Sequence, residues 1–292
     1  MKVILFGAGK FGRLFCENCD EHTTIIAFAD NNATLKGNKT IYGHMIISVD
    51  EIKQYDYDRI VITLDDRKDG IWKIHAIVTQ LTGLGIELDK LVLQNLRYSE
   101  NEPRVQFLKH FAEIFDTLSF AVAECGVYRG EFAAHINECF PNNKLYLFDA
   151  FQGFREEDQA AERSCESQAW LKKGAHYWHN LDGNEFPAIL RCPYRNNIVL
   201  RKGFVPDTFS DTPEEKYGFV HLDMDLFAPT LQALRYFASR LERGGVILLH
   251  DYFCSDLPGI KQAVDEFSLE YSFYSIPIGD EFSLVMTNIH QL

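Results

Sequence analysis

The chain has no apolar run approaching the roughly 20 residues that cross a bilayer, so no membrane span is expected. Paired CxxC motifs are also missing, which excludes the common structural zinc sites. The seven cysteines (Cys16, Cys19, Cys125, Cys139, Cys165, Cys192 and Cys254) are an odd number in a long chain. That count fits reduced thiols in a cytoplasmic protein, with Cys16 and Cys19 read as small buried residues of one helix. The opening MKVILFGAGK lacks a small-residue cleavage site, so it is not read as a signal peptide. Basic charge is scarce. The net charge is −13, and nearly all of it falls after residue 97. Such a chain repels nucleic acid and anionic lipid, so neither is expected as a partner. Most of the carboxylates are read as solvated surface. Internal repeats and low-complexity segments are absent too. With 292 residues, 46% of them apolar, the chain can bury a real core and is long enough for two domains.

What is there begins with a strand pattern at 2–6 (KVILF), the turn Gly7-Ala8-Gly9-Lys10-Phe11-Gly12, a helical stretch Arg13–Cys19, a second strand at Thr24–Ala29, and Asp30 at its tip. This is the dinucleotide-binding order. Gly7 allows the tight turn, Gly9 lets a phosphate approach the backbone, and Gly12 lets the helix pack on the strand. The helix N-terminus attracts the phosphate, and Asp30 is placed to accept from ribose hydroxyls. Further strands are predicted at Arg59–Leu64 and Lys90–Leu93, with a helix near Ile71–Leu81. The stretch Ala27–Val49 resembles the small Rossmann domain attached to bacterial sugar-modifying enzymes. That resemblance implies a nucleotide or nucleotide-sugar site, or a scaffold. The polar, proline-ended RYSENEP, Arg97–Pro103, marks the boundary, dividing the chain into 1–97 and 98–292.

The second half restarts the same alternation. Strands are predicted at Ser119–Ala123 with Glu124 at the tip, Leu145–Phe148 with Asp149, Ile198–Leu200, Phe219–Leu222 with Asp223-Met224-Asp225, and Val246–Leu249 with His250-Asp251. Helices are predicted after Gly130 and from Pro229 to Leu241, where Gly244-Gly245 closes the second. Two terminal strands, Phe273–Ile276 and Phe282–Thr287, form a hairpin. The expected class is α/β, with two Rossmann-like domains, the second a methyltransferase-type sheet ending in an antiparallel hairpin. Ligands of such sheets bind at the carboxyl ends of strands, where the acidic residues and His250 collect. Glu124, Gly126, Tyr128 and Gly130 read as the loop for S-adenosylmethionine (SAM), and Asp149 as the acceptor for both ribose hydroxyls.

Five segments then stand in a recognisable order. They are Glu124-Cys-Gly-Val-Tyr-Arg-Gly130, Leu145-Tyr-Leu-Phe-Asp-Ala-Phe-Gln-Gly-Phe154, Lys202-Gly-Phe-Val-Pro-Asp-Thr208, His221-Leu-Asp-Met-Asp-Leu-Phe227 and Gly244-Gly-Val-Ile-Leu-Leu-His-Asp-Tyr252. Over residues 120–290 they resemble the macrocin O-methyltransferase family (the TylF/MycF/NovP type). The resemblance implies a SAM- and Mg2+-dependent enzyme that methylates a sugar hydroxyl. It implies Gly203 and Phe204 at the SAM site and Asp225 as general base. The residues argue for metal on their own account: Asp223, His250 and Asp251 stand on neighbouring strand ends, and a dication lowers the pKa of a coordinated hydroxyl.

Two departures stand out. The family has Asp-Asp where this chain has His250-Asp251, and a nitrogen ligand favours manganese, iron or zinc over magnesium. Alternatively, His250 orients the acceptor and Asp251 alone holds the ion. Glu131-Phe132 replaces a small residue and serine, so the carboxylate end of SAM is held differently. Residues 151–201, with His176, Tyr177, Trp178 and His179, read as an acceptor-binding lid. The expected acceptor is a nucleotide sugar, a glycoside or a surface-polysaccharide precursor; oligomerisation into a homo-oligomer is left open. Two rivals remain. One is an NAD(P)-binding oxidoreductase or epimerase working through the first domain, although Tyr42, Tyr55 and Tyr57 lack a lysine four residues on. The other is a non-catalytic scaffold that keeps the fold.

Overall fold

The computed structural model describes residues 1–292 except 41, 65–69, 95–100, 116–119, 163–166, 173–184 and 289–292. The lid residues His176–His179 and Cys165 lie outside the described residues. The chain forms two compact units. One is Met1–Arg97 with Ile189–Pro193; the other is Tyr98–Ala188 with Tyr194–Leu292. Among the described residues no helix is long and apolar enough to cross a membrane.

The first unit is a parallel sheet of β1 (Lys2–Phe6), β2 (Thr24–Ala29), β3 (Ile46–Ile47), β4 (Arg59–Ile62) and β5 (Leu91–Leu93), in the order β3-β2-β1-β4-β5. Strands covered on both faces read as continuous apolar runs, and Val3, Ile4 and Leu5 are all fully buried. Ile4, Ile60 and Ile62 pack on Ile74 and Leu81 of the helix Gly70–Gly83, while Val3, Leu5 and Val61 meet Phe28 in a second apolar cluster. Gly12 is required by proximity: a Cβ there would lie 2.3 Å from the Gly7 carbonyl oxygen.

The second unit is a seven-stranded sheet. Its strands are β6 (Ala121–Cys125), β7 (Leu145–Asp149), β8 (Ile198–Lys202), β9 (Tyr217–Leu222), β10 (Leu241–Leu249), β11 (Phe273–Pro277) and β12 (Leu284–Asn288). The order is β11-β12-β10-β9-β6-β7-β8. Strands β6 to β10 run parallel, and β12 and β11 close the sheet as an antiparallel hairpin. The two-Rossmann α/β architecture with a terminal hairpin is thus the observed one. From β6 the chain moves outward to β7 and β8, then returns to β9 on the other side of β6. That reversal opens a crevice at the carboxyl ends of β6 and β9, where open α/β sheets bind their ligands.

Several boundaries differ from the sequence reading by a few residues, and three of them change how a residue is read. Strand β6 extends to Cys125, so Glu124 lies inside the sheet and not at its tip. The helix expected from Pro229 starts at Phe227 and stops at Ala238; proline is tolerated in the first turn, where its missing N–H has no partner to lose. Leu241 already belongs to β10, and Gly244-Gly245 form an irregularity within that strand: Leu241 pairs with Tyr217 and Val246 with Phe219. Gly244 takes a left-handed φ of 76° and Gly245 lies under close carbonyl contacts as the strand absorbs its extra residues, a role that looks like a helix stop in sequence.

Candidate active site

The hydrogen-bond ladder continues past the strands and sets four loops side by side. Gly126 N–H donates to Phe148 O (3.0 Å), Asp223 N–H to Cys125 O (2.9 Å), His250 N–H to Leu222 O (2.9 Å) and Gly203 N–H to Asp149 O (2.9 Å). Glycine is obligatory at 126, where φ is +83° and a Cβ would lie 1.8 Å from the Asp223 carbonyl oxygen. Among the described residues the only non-glycines with positive φ are Tyr128 (52°), Phe151 (53°), Asp225 (62°) and Asp251 (58°). One sits in each loop after β6, β7, β9 and β10. Such conformations cost about 1–3 kcal/mol each and persist where the surrounding packing enforces them.

The loops after β6, β7, β8 and β9 line a cavity of about 280 Å³, with Gly126, Tyr128, Asp149, Phe204, Asp223 and Asp225 among its residues, while His250 and Asp251 stand beside Asp223 outside that lining. Gly203 lines it too. Phe154, Arg155 and Asp158 also line it; the sequence reading placed Phe154 at the end of a motif without a role and did not single out the other two. Arg155 donates to Asp207 Oδ2 (2.5 Å) with its guanidinium 4.9 Å from the Phe204 ring centre. No local pattern marks such a pair, because its partners lie 52 residues apart. Glycine, aromatic faces and carboxylates around one cavity are the surroundings a purine nucleoside joined to a charged amino acid needs, so the residues fit SAM.

Asp149 is engaged differently from the expectation. Its Oδ2 accepts from Val127 N–H (2.7 Å) and Tyr128 N–H (2.8 Å), and its Oδ1 from Phe151 N–H (2.6 Å). Burial pushes this carboxyl up, and those three N–H groups pull against it. The carboxylate therefore shapes the loop after β6, with limited acceptor capacity left for ribose.

Glu124 does not line the cavity. It is 2% exposed, and its Oε1 lies 3.0 Å from His221 Nδ1, the residue opposite it on β9. The Phe132 ring covers His221 at 4.1 Å. Burial raises Glu124 well above its ordinary pKa, with the Asp223 charge adding to it. Burial lowers His221 well below its own. Gly130 stands at the start of the helix Glu131–Cys139 with φ 76°, where a Cβ would meet Ala188.

Asp223, His250 and Asp251 come together as expected. His250 Nδ1 lies 2.9 Å from Asp251 Oδ2 and 3.3 Å from Asp223 Oδ1, and one donor atom from each residue falls within 4.8 Å of the others. Two carboxylates and an imidazole nitrogen at that spacing fit a divalent cation. With no cation, burial would depress His250, yet the charges of Asp223 and Asp251 outweigh it and hold the imidazole up at about 10. Burial opposes ionisation of Asp223 as well, but His250 overrides it and Asp223 is held low. Asp225 goes the other way. Burial and the charges of Asp223 and Asp251 raise it well above the carboxylate range. Arg104, 5% exposed, adds a cation 3.7 Å from Asp223 Oδ2 and is bound to Glu102 at 2.8 Å. It sits in the first turn of the helix Pro103–Ile114, far from every motif, so sequence offered no signal for it.

In the first unit, Asp30 Oδ2 accepts from Ala8 N–H (2.9 Å) and Oδ1 from Asn32 N–H (2.8 Å). Gly7, with φ 111°, and Gly12 are crowded, whereas nothing lies within 4 Å of a Cβ built on Gly9.

Residues 123–252 match the family described as a methyltransferase domain, and residues 1–92 match one described as C2185-like, N-terminal. No curated protein matches the chain significantly. Among solved structures, the O-methyltransferase NovP is 20% identical with a TM-score of 0.52, over 64% of this chain and 79% of its own. The calicheamicin methyltransferase CalS11 is 16% identical with a TM-score of 0.43, over 74% and 90%. Residues 123–252 thus form a methyltransferase domain, and the second unit has the fold of the O-methyltransferase NovP, in agreement with the resemblance read from its five motifs.

Proposed function

We propose that this chain transfers the methyl group of SAM to a sugar hydroxyl with the help of a divalent cation held by Asp223, His250 and Asp251. The observation that carries the reading is that one cavity is lined both by the glycine and aromatic segments suited to SAM and by Asp223 and Asp225. Gly126, Tyr128, Asp149, Gly203 and Phe204 would hold the donor; Glu124 and Gly130 would support its loop from behind. Bound, the cation supplies positive charge that lowers the pKa of an acceptor hydroxyl and of nearby carboxyls.

Asp225 is the general base. Its left-handed backbone sets its side chain on the cavity wall beside Asp223. Bound, SAM would supply an activated methyl group, and the Asp225 carboxylate would take the proton of the acceptor hydroxyl as that methyl is transferred. Alignment of donor and acceptor in one cavity would supply much of the rate. The acceptor is a nucleotide sugar, a glycoside or a polysaccharide precursor. Independently of that cavity, a nucleotide or nucleotide sugar would suit the Gly7–Gly12 turn of the first unit, with phosphate at open Gly9 and Asp30 bracing the loop.

Asp225→Asn should lower single-turnover methyl transfer by about 10²–10⁴-fold, the usual worth of a general base. Asp223→Ala should abolish metal-stimulated transfer. Both should keep calorimetric SAM affinity nearly intact. Equal loss of SAM binding in the two variants would refute these roles.

A further inference from the structure

We infer that the cation centre is built to take a first-row transition metal of the Mn2+ kind in preference to Mg2+, because one of its three donors is the Nδ1 nitrogen of His250. The inference rests on the metal-dependent reading above and names the cation that its site accepts.

The nitrogen is aimed by the fold. The His250 backbone N–H is tied to Leu222 O at 2.9 Å, and the imidazole lies against the Phe282 ring, 5.7 Å between centres and 22° from parallel. Backbone and ring together leave Nδ1 facing Asp223 Oδ1 and Asp251 Oδ2. Mg2+ is small and hard, keeps several waters and demands oxygen ligands in near-ideal octahedral geometry. An imidazole at one of three protein positions weakens that cation most. First-row divalent ions gain from nitrogen donors, and Mn2+ also accepts the two carboxylates that complete the set. His250 is thereby a ligand that sets selectivity, beyond filling a place on the strand end.

The test uses the full chain without SAM. Mn2+ is titrated by electron paramagnetic resonance, Mg2+ is added as competitor, and electron spin-echo modulation is recorded on the bound ion. Wild type should hold Mn2+ tighter than Mg2+ and show 14N modulation from one imidazole. His250→Asp should lower the Mn2+/Mg2+ affinity ratio relative to wild type and lose the nitrogen signal. The nitrogen signal is read on wild type, so the inference stays testable if the variant misfolds. Absence of 14N modulation, an unchanged Mn2+/Mg2+ ratio in a folded His250→Asp, or no Mn2+ binding would each overturn it. Nitrogen-ligated Mn2+ without SAM binding would sink the methyl-transfer reading alone. SAM binding and methyl transfer without nitrogen coupling would sink this inference alone.

Discussion

Asp30 after β2 and Asp149 after β7 do the same local work in two different sheets. Each carboxylate accepts backbone N–H groups of the glycine turn on the neighbouring strand, Ala8 in one case and Val127 with Tyr128 in the other. A half-buried acid that accepts from two or more backbone amides stabilises a loop that has no regular structure of its own. The residue type and its place after a strand were legible; its engagement with the loop was not, since that depends on how close the two strand ends lie. Gly126 is the sharpest case at this scale. Gly126→Ala would force both a left-handed alanine and a contact with the Asp223 carbonyl. It should cost about 1–3 kcal/mol in urea unfolding and weaken SAM binding by calorimetry.

Paired strands decide what a single strand cannot. Glu124 looks like a tip residue in sequence. Pairing of β6 with β9 sets it opposite His221 and turns both inward under Phe132. This pair has a consequence for acid stability. His221 is held well below its ordinary value, so the native state keeps it neutral. As pH falls below about 6.5, the unfolded chain takes up a proton that the folded one does not. The His221 contribution is therefore present above that pH and is lost on acidification. Urea midpoints at pH 7 and pH 5 should show His221→Gln shifting toward greater relative stability than wild type over that interval, because the variant lacks the His221 contribution. An equal change in both would remove His221 from the account. The β10 irregularity teaches the same lesson: Gly244-Gly245 served a strand distortion, which shares its glycine signal with a helix end.

At the scale of the molecule, two sheets with glycine turns compete for the role of nucleotide site. The second turn opens on the cavity lined by Asp223 and Asp225. Titration of the whole chain should therefore give saturable heat with SAM. Saturation by NAD(P) alone would favour the oxidoreductase reading. UDP-sugars titrated in the same way test the Gly7–Gly12 turn, and a signal that survives Gly9→Val would move the nucleotide elsewhere.

The sequence by itself determined the alternation of strands and helices, the two glycine turns, the terminal hairpin and the acidic strand ends, because apolar runs, turn chemistry and motif order are local properties. Tertiary structure decided which way those groups face. It drew Arg104 to Asp223, buried Glu124 against His221, and turned the His250 nitrogen between two carboxylates. These contacts join residues distant in the chain. Their geometry follows from strand register and from rings such as Phe132 and Phe282 that hold a side chain in one direction, and neither is written in the residues immediately around it.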